Sequence, residues 1–124
     1  MPKTIFIVDD SATMLMSVKF FLTSANFMVE TASDGVQALS RLNAGLKPDL
    51  IITDINMPHM GGMELIKSLR AMPRFRFTPI LTLTTESLPE KRNEAKKLGA
   101  TGWIVKPIAG AELVKVIKQL LPGA

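Results

Sequence analysis

The feature that most constrains the fold is an alternation of five short apolar segments with five longer segments of helical periodicity. The apolar segments have the length and composition of strands buried in a parallel sheet. They are Thr4–Val8, Met28–Ala32, Leu50–Thr53, Ile80–Thr84 and Gly102–Val105. Because strand–helix–strand crossovers are right-handed, the helices have to cover both faces of the sheet. The sequence therefore predicts an α/β fold with a doubly wound, parallel, five-stranded sheet.

The helical segments carry their own start and stop signals. Ser33-Asp34 precedes the second helix and Gly45 follows it, while Pro89 suits the first turn of the fourth and Gly99 follows its end. No linker or repeat interrupts the pattern, so we expect a single domain over residues 1–124. The predicted helices are Ala12–Ala25, Gly35–Ala44, Met63–Ala71, Pro89–Leu98 and Ala111–Leu121.

Composition places the chain among ordinary globular proteins. It is 47% hydrophobic and 21% charged, and it has no cysteine, which excludes disulfides and thiolate metal sites. No apolar stretch approaches the roughly 20 residues that cross a bilayer, and no signal peptide precedes the first strand. We expect a cytoplasmic protein without membrane insertion.

The formal net charge of +4 does not by itself indicate nucleic-acid binding. Basic residues are spread among acids, and no helix-turn-helix, zinc-finger or aromatic RNA-binding signature accompanies them, so we expect no DNA binding. A solvated surface, or a face that binds an acidic protein partner, is the preferred interpretation. The basic residues concerned are Arg70, Arg74, Arg76, Lys91, Arg92, Lys96, Lys97, Lys115 and Lys118.

Candidate functional residues lie at the ends of four of the five predicted strands. Asp9 and Asp10 follow the first strand, Asp54 the third and Lys106 the fifth, while Thr84 ends the fourth. Ligands of doubly wound sheets bind outside the carboxyl ends of the strands. We therefore expect three carboxylates, a hydroxyl and an ammonium group to meet at one edge of the sheet.

Each acid also has a simpler interpretation. Adjacent like charges at Asp9-Asp10 need a compensating cation or donors, but one of the two could instead cap the next helix. Asp54 taken alone could be a cap as well. Ser33-Asp34 at the end of the second strand is interpreted as a helix cap only, and it serves as an internal control.

The residues expected at this edge suit phosphoryl transfer. Mg²⁺ prefers oxygen ligands and commonly binds through one or two carboxylates together with phosphate oxygens. Asp54 could attack phosphorus, while Mg²⁺, Lys106 and the Thr84 hydroxyl stabilise the phosphoryl oxygens. The product would be an aspartyl phosphate.

Four stretches carry a family resemblance. They read Ile-Val-Asp-Asp-Ser over 7–11, Pro-Asp-Leu-Ile-Ile-Thr-Asp-Ile-Asn-Met-Pro over 48–58, Thr-Thr-Glu over 84–86 and Gly-Ala-Thr-Gly-Trp-Ile-Val-Lys-Pro over 99–107. The chain resembles the receiver domain of two-component response regulators, in particular the stand-alone chemotaxis regulators of the CheY type. The resemblance implies the flavodoxin-like strand order 2-1-3-4-5.

The resemblance also implies roles for individual residues. Asp54 matches the phosphoacceptor, Asp10 a direct Mg²⁺ ligand and Asp9 a ligand acting through water, with the backbone carbonyl of Asn56 as a further ligand. Thr84 matches the switch hydroxyl. Lys106 matches the lysine that pairs with the phosphoryl group, and the resemblance implies a cis peptide bond between it and Pro107. Asn56 and Glu86 match the positions that tune the lifetime of the phosphoryl group; the alternative is that both side chains only face solvent.

Three stretches depart from the family pattern. Trp103 stands where the rotating switch aromatic is usually Tyr or Phe. The segment 59–62 reads His-Met-Gly-Gly, where the family often has Asp before the last Gly, and His59 is interpreted as a loop residue rather than a ligand. The sequence assigns no role to the basic, aromatic connection Pro73–Phe77.

Three functions remain open at this stage. The leading one is a single-domain regulator, expected to be a monomer, that takes a phosphoryl group from a histidine kinase and then binds a target such as a flagellar motor switch component. It would be no enzyme in the usual sense, but it would catalyse its own phosphoryl transfer and dephosphorylation. A phosphorelay intermediate or phosphate sink is the alternative. A Mg²⁺-dependent small-molecule phosphohydrolase is disfavoured, because Asn56 replaces the second aspartate of one major hydrolase class.

Overall fold

The computed structural model describes residues 2–123 and contains one parallel sheet of five strands in the order β2-β1-β3-β4-β5. This confirms the doubly wound fold and the strand order that the resemblance implied. All five strands have the predicted bounds. The strands are β1 (Thr4–Val8), β2 (Met28–Ala32), β3 (Leu50–Thr53), β4 (Ile80–Thr84) and β5 (Gly102–Val105).

Six of the ten helix ends lie one residue from the predicted position, and the other four lie at it. The fourth has the predicted bounds, since Pro89 at its start and Gly99 in the left-handed conformation at its end are both strong signals. Beyond these five helices, Pro73–Phe75 forms a short 3₁₀ helix that was not predicted. The helices are α1 (Ala12–Ser24), α2 (Gly35–Asn43), α3 (Gly62–Arg70), α4 (Pro89–Leu98) and α5 (Gly110–Leu120).

Two apolar cores lie on opposite faces of the sheet. One joins the sheet to α1 and α5 through residues such as Ile7, Leu22 and Ile117. The other joins it to α2 and α3 through residues such as Phe6 and Leu65. Helix α4 contributes only Ala95 as a buried residue and is thus the least embedded of the five. Within residues 2–123, no helix has the length and apolar character that a bilayer crossing requires.

The connection Pro73–Phe77 has a structural role that the sequence did not reveal. Phe75 is buried in the core beneath α2 and α3, and the Arg74 guanidinium lies over its ring. The Arg70 guanidinium donates to the carbonyls of Phe75 and Thr78, at 2.7 Å each. The connection therefore closes one end of this core.

Candidate functional site

The candidate site lies at the carboxyl edge of the sheet. Backbone hydrogen bonds between neighbouring strands continue there one residue past the ends of β1, β3 and β5. The amide of Asp9 donates to the last residue of β2, that of Asp54 to the last residue of β1 and that of Lys106 to the last residue of β4, at 3.1, 2.9 and 2.8 Å. Each functional residue is thus fixed by its own strand and by a neighbouring one. The three residues are consequently held in register along this edge.

The carboxylates of Asp9, Asp10 and Asp54 form one cluster, in which one oxygen from each lies within 4.8 Å of the others. Asp9 is buried, Asp54 is partly buried and Asp10 is exposed. The Lys106 ammonium donates to Asp9 Oδ2 at 2.7 Å and to Asp54 Oδ2 at 3.1 Å. The expected convergence of three acids and one amine is confirmed.

The capping alternatives for these acids do not hold. Ser11 caps α1, because its hydroxyl accepts from the amide of Met14, and Asp9 accepts from the amide of Ser11. Helix α3 begins after Gly61 and has no side-chain cap. Asp9 and Asp54 are therefore oriented by the site and not by a helix terminus.

Lys106 is charged at neutral pH despite its burial. Burial by itself would lower the pKa of this ammonium, but its hydrogen bonds to Asp9 and Asp54 outweigh that effect and raise the pKa above the ordinary value. The side chain extends from the end of β5, and the Lys106–Pro107 peptide bond is cis, as the resemblance implied. The site therefore contains a fixed positive charge beside its acids.

The donor set fits a hard divalent cation. Three carboxylates and one ammonium leave two net negative charges, and every cation ligand in the cluster is an oxygen. Such a set suits Mg²⁺ and lacks the nitrogen or sulfur donors that favour zinc. Asp10, the exposed member, gives an ion access from solvent.

Asp34 provides the internal control and behaves as the sequence predicted. Its Oδ1 accepts from the amide of Gln37 at 2.9 Å and so caps α2. This hydrogen bond and one from His59 lower the pKa of the Asp34 carboxyl. Donors of the protein itself therefore satisfy this strand-end acid.

Thr84 and Trp103 lie on the same face of the sheet at its β4–β5 edge. Thr84 pairs with Val105 and Thr82 with Trp103, and residues two apart on a strand point the same way. The Thr84 side chain is fully buried, and its oxygen accepts from the amide of Glu86 at 3.1 Å. Because a hydroxyl both accepts and donates, its proton remains available to another acceptor.

Trp103 borders a groove of about 580 Å³ between α4 and β5. The ring is partly buried, and the other residues of the groove come from α4, from the loop that follows it and from Gly102 at the start of β5. A bulky indole therefore has open space beside it. The groove is lined by Pro89, Arg92, Asn93, Ala95, Lys96, Ala100, Thr101, Gly102 and Trp103.

Sequence reasoning missed one contact near the site. His59, placed correctly in a loop, has its Nδ1 3.0 Å from Asp34 Oδ2. A carboxylate only accepts, so Nδ1 carries the proton of this hydrogen bond. Its φ of 65° is positive, a conformation that Asn26 is the only other described non-glycine residue to adopt.

Comparison with known proteins identifies the family. The sequence model of the response regulator receiver domain family matches residues 5–118 of this chain. The chemotaxis protein CheY-3 of Vibrio cholerae is 38% identical over 117 residues, which cover 94% of this chain and 89% of that protein. The chemotaxis protein CheY1 of Helicobacter pylori is 36% identical over 118 residues, 94% of this chain and 95% of that protein.

Solved structures give the same result. The chemotaxis response regulator CheY4 of Vibrio cholerae superposes with a TM-score of 0.91 at 43% identity, covering 98% of this chain and all of that one. The receiver domain of the sensor histidine kinase PA1611 of Pseudomonas aeruginosa superposes with a TM-score of 0.87 at 26% identity, covering 97% and 98% of the two chains. In that receiver domain a magnesium ion is coordinated in the active site cleft.

Proposed function

The chain belongs to the family of response regulator receiver domains, and from this premise we propose that it accepts a phosphoryl group on Asp54 from a histidine kinase. The phosphorylated protein then signals by binding a downstream protein, in chemotaxis as its CheY relatives do. In this role it acts in the cytoplasm and needs Mg²⁺.

One observation carries the proposal: the Lys106 ammonium bridges Asp9 and Asp54 inside a cluster of three carboxylates. A structural ion pair would need one acid, whereas here the acids outnumber the amine. The surplus of negative charge favours a divalent cation held by Asp9, Asp10, Asp54 and the backbone carbonyl of Asn56. When bound, Mg²⁺ supplies positive charge to the phosphoryl oxygens.

Asp54 acts as the nucleophile in the proposed reaction. One of its carboxylate oxygens forms a bond to phosphorus, while the bond from phosphorus to the imidazole nitrogen of the donor breaks, and that imidazole leaves with the electron pair. Asp54 Oδ1 accepts from the amide of Ile55 at 2.6 Å, and this hydrogen bond fixes the plane of the carboxylate. A fixed nucleophile lowers the entropic cost of the in-line attack.

Lys106 and Thr84 stabilise the phosphoryl group. The ammonium already contacts Asp54, so it reaches an oxygen of a group attached there with little movement. The Thr84 hydroxyl accepts from the amide of Glu86 and directs its own proton toward a second oxygen. Both groups therefore respond to charge that arrives on Asp54.

The signal passes from Thr84 to the surface formed by α4, β5 and α5. A phosphoryl group adds nearly two negative charges. As Thr84 moves toward them, Trp103 turns within the α4–β5 groove and changes its outline. To change the ratio of the active to the inactive conformation from 1:99 to 99:1, about 5.5 kcal/mol of preference for the active one is needed. The phosphoryl group supplies part of this free energy, and binding of the partner supplies the rest.

The charge of this surface indicates an acidic target, such as a flagellar motor switch component. Its exposed basic side chains outnumber the acidic ones, and charge complementarity accelerates association and suppresses wrong partners. Reversing several of these charges should weaken target binding. The residues are Lys91, Arg92, Lys96, Lys97, Lys115 and Lys118.

Asn56 and Glu86 are proposed to set the lifetime of the phosphoryl group. Asn56 is exposed beside the phosphoacceptor, and Glu86 is partly buried next to Thr84. Polar side chains at these places guide the hydrolytic water. Exchanging them for apolar residues should change the rate of dephosphorylation without removing phosphoryl uptake.

The test is phosphoryl uptake from acetyl phosphate, followed by intact mass with Mg²⁺ or with EDTA. We expect the wild type to gain one phosphoryl group only with Mg²⁺ and Asp54→Asn to gain none. Equal gains in both proteins would contradict the assignment of Asp54. Release of inorganic phosphate far in excess of protein would indicate a phosphohydrolase, and onward transfer to a histidine-containing protein would indicate a relay.

A further inference from the structure

The loop between β3 and α3 contains a strained residue. His59 has φ of 65°, which is uncommon for a residue with a side chain, and the amide of Met60 closes a three-residue turn around it by donating to Pro58 at 2.7 Å. Such a conformation persists only where surrounding contacts hold it.

Contacts to the corner between β2 and α2 hold the tip of this loop. His59 Nδ1 donates to Asp34 Oδ2 at 3.0 Å, and the amide of Gly35 donates to the carbonyl of Met60 at 3.0 Å. The Met60 side chain packs on the bare backbone of Gly35, where a Cβ atom would lie 2.6 Å from its Cγ. Polar and apolar contacts thus tie the same few residues down.

The acceptor is itself rigid. The Asp34 side chain is 7% exposed, and the amide of Gln37 fixes it as the cap of α2. The His59 side chain, by contrast, is 73% exposed, so burial does not explain its position. The hydrogen bond to Asp34 is therefore the contact that orients the imidazole.

The other end of the loop is fixed at the phosphoacceptor. The amide of Gly62 donates to the carbonyl of Ile55 at 2.9 Å, and a Cβ atom on Gly62 would lie 2.1 Å from the carbonyl oxygen of Asp54. The segment 54–62 is therefore a closed loop that is held at its base and at its tip. Asn56 lies between these two fixed points.

We propose that His59 is a positioning residue for the metal site: its hydrogen bond to Asp34 holds the β3–α3 loop in the shape that presents the Asn56 carbonyl to the divalent cation. This inference rests on the proposed function, because it takes Asn56 as a ligand. Loss of the hydrogen bond leaves the tip of the loop held by the Met60 contacts alone. The loop is then less ordered, and binding of the cation has to order it. Mg²⁺ affinity falls, while the nucleophile and Lys106 stay intact.

Two variants at one position separate this role from a general effect on folding. His59→Gly adopts a positive φ freely but has no side chain to donate. His59→Asn tolerates the same φ and retains an N–H donor. Magnesium chloride is titrated into each full-length protein by calorimetry without a phosphodonor, and urea unfolding verifies that each variant is folded.

We expect His59→Gly to bind Mg²⁺ on the order of tenfold more weakly, the size typical when a group that orients a metal ligand is lost. We expect His59→Asn to bind like the wild type. In uptake from acetyl phosphate, the Mg²⁺ concentration for half-maximal rate should rise by the same factor for His59→Gly, with the saturated rate unchanged. Unaltered Mg²⁺ affinity in a folded His59→Gly, or equal weakening in both variants, would overturn the inference.

The titration also keeps the two proposals apart. A wild type that binds Mg²⁺ but takes up no phosphoryl group contradicts the proposed function, and the affinity difference between the variants still decides the role of His59. A wild type that takes up the group while His59→Gly binds Mg²⁺ normally refutes only the positioning role.

Discussion

Asp34 and Asp54 occupy equivalent places at the carboxyl ends of β2 and β3, yet their surroundings differ. Asp34 is satisfied by the amide of Gln37 and by His59, and it caps a helix. Asp54 caps nothing and shares the Lys106 ammonium with a cluster of further carboxylates. Both acids accept from a nearby backbone amide, Asp54 from that of Ile55. A strand-end acid is thus a candidate for chemistry when it belongs to a cluster whose acids outnumber its amine, and a structural residue when it stands outside such a cluster and caps a helix.

Replacing Lys106, the one amine of the site, should have the largest effect on phosphoryl uptake. Lys106→Met removes a positive donor from the phosphoryl oxygens, so the rate of uptake from acetyl phosphate at saturating Mg²⁺ should fall on the order of 10²–10³-fold. Lys118→Met, at an exposed position of α5, is the control and should retain the wild-type rate. Equal rates in all three proteins would remove Lys106 from the mechanism.

The packing beneath Asp54 predicts the next largest effect. In Gly62→Ala the new Cβ would meet the carbonyl oxygen of Asp54 at 2.1 Å, and backbone atoms cannot move aside as a side chain can. The free energy of unfolding in urea should drop by about 3 kcal/mol. Gly45→Ala, with φ of +115° but open space around it, should lose only about 1 kcal/mol from backbone strain.

Replacing the control acid should affect stability and leave phosphoryl uptake intact. Asp34→Ala removes the cap of α2 and should lower the urea midpoint, whereas Asp34→Asn, whose side-chain oxygen still accepts from Gln37, should lower it less. At saturating Mg²⁺ both variants should take up one phosphoryl group per protein, as measured by intact mass. A folded Asp34→Asn protein that takes up no phosphoryl group would contradict the assignment of Asp34 as a structural residue.

The smallest effect concerns pH. The pKa of Asp34 is lowered in the folded protein, first by the amide of Gln37 and then by His59. A lowered folded-state pKa means that the charged carboxylate stabilises the fold above the unfolded value of about 3.9, and that this contribution disappears as pH falls through the folded-state pKa. The difference in unfolding free energy between wild type and Asp34→Asn should therefore shrink in acid, as pH falls through the folded-state pKa of Asp34.

Much of the fold could be predicted because its signals are local. Apolar runs fixed all five strands, and Pro89 with Gly99 fixed both ends of α4. Helix α3 begins one residue earlier than predicted, since it has no capping side chain and opens on a glycine that carries no apolar signal. The strand order is not encoded in periodicity, and only the family resemblance supplied it.

The site was predictable to the extent that it follows from strand ends. Once the sheet is parallel, the residues after β1, β3 and β5 must share one edge, which brings Asp9, Asp54 and Lys106 together. The contact between His59 and Asp34 could not be predicted in this way. It joins loops after β2 and β3, which lie on either side of β1, and so it depends on strand order and on the positive φ of a single residue.

The most direct measurement locates the phosphoryl group. Protein treated with acetyl phosphate and Mg²⁺ is reduced with borohydride, which converts an aspartyl phosphate to homoserine, and peptide mass spectrometry identifies the altered residue. We predict homoserine at position 54 and unaltered aspartate at positions 9, 10 and 34. Homoserine at any of those three positions, or at none in a protein that has gained the mass of a phosphoryl group, would contradict the assignment of Asp54 as the acceptor.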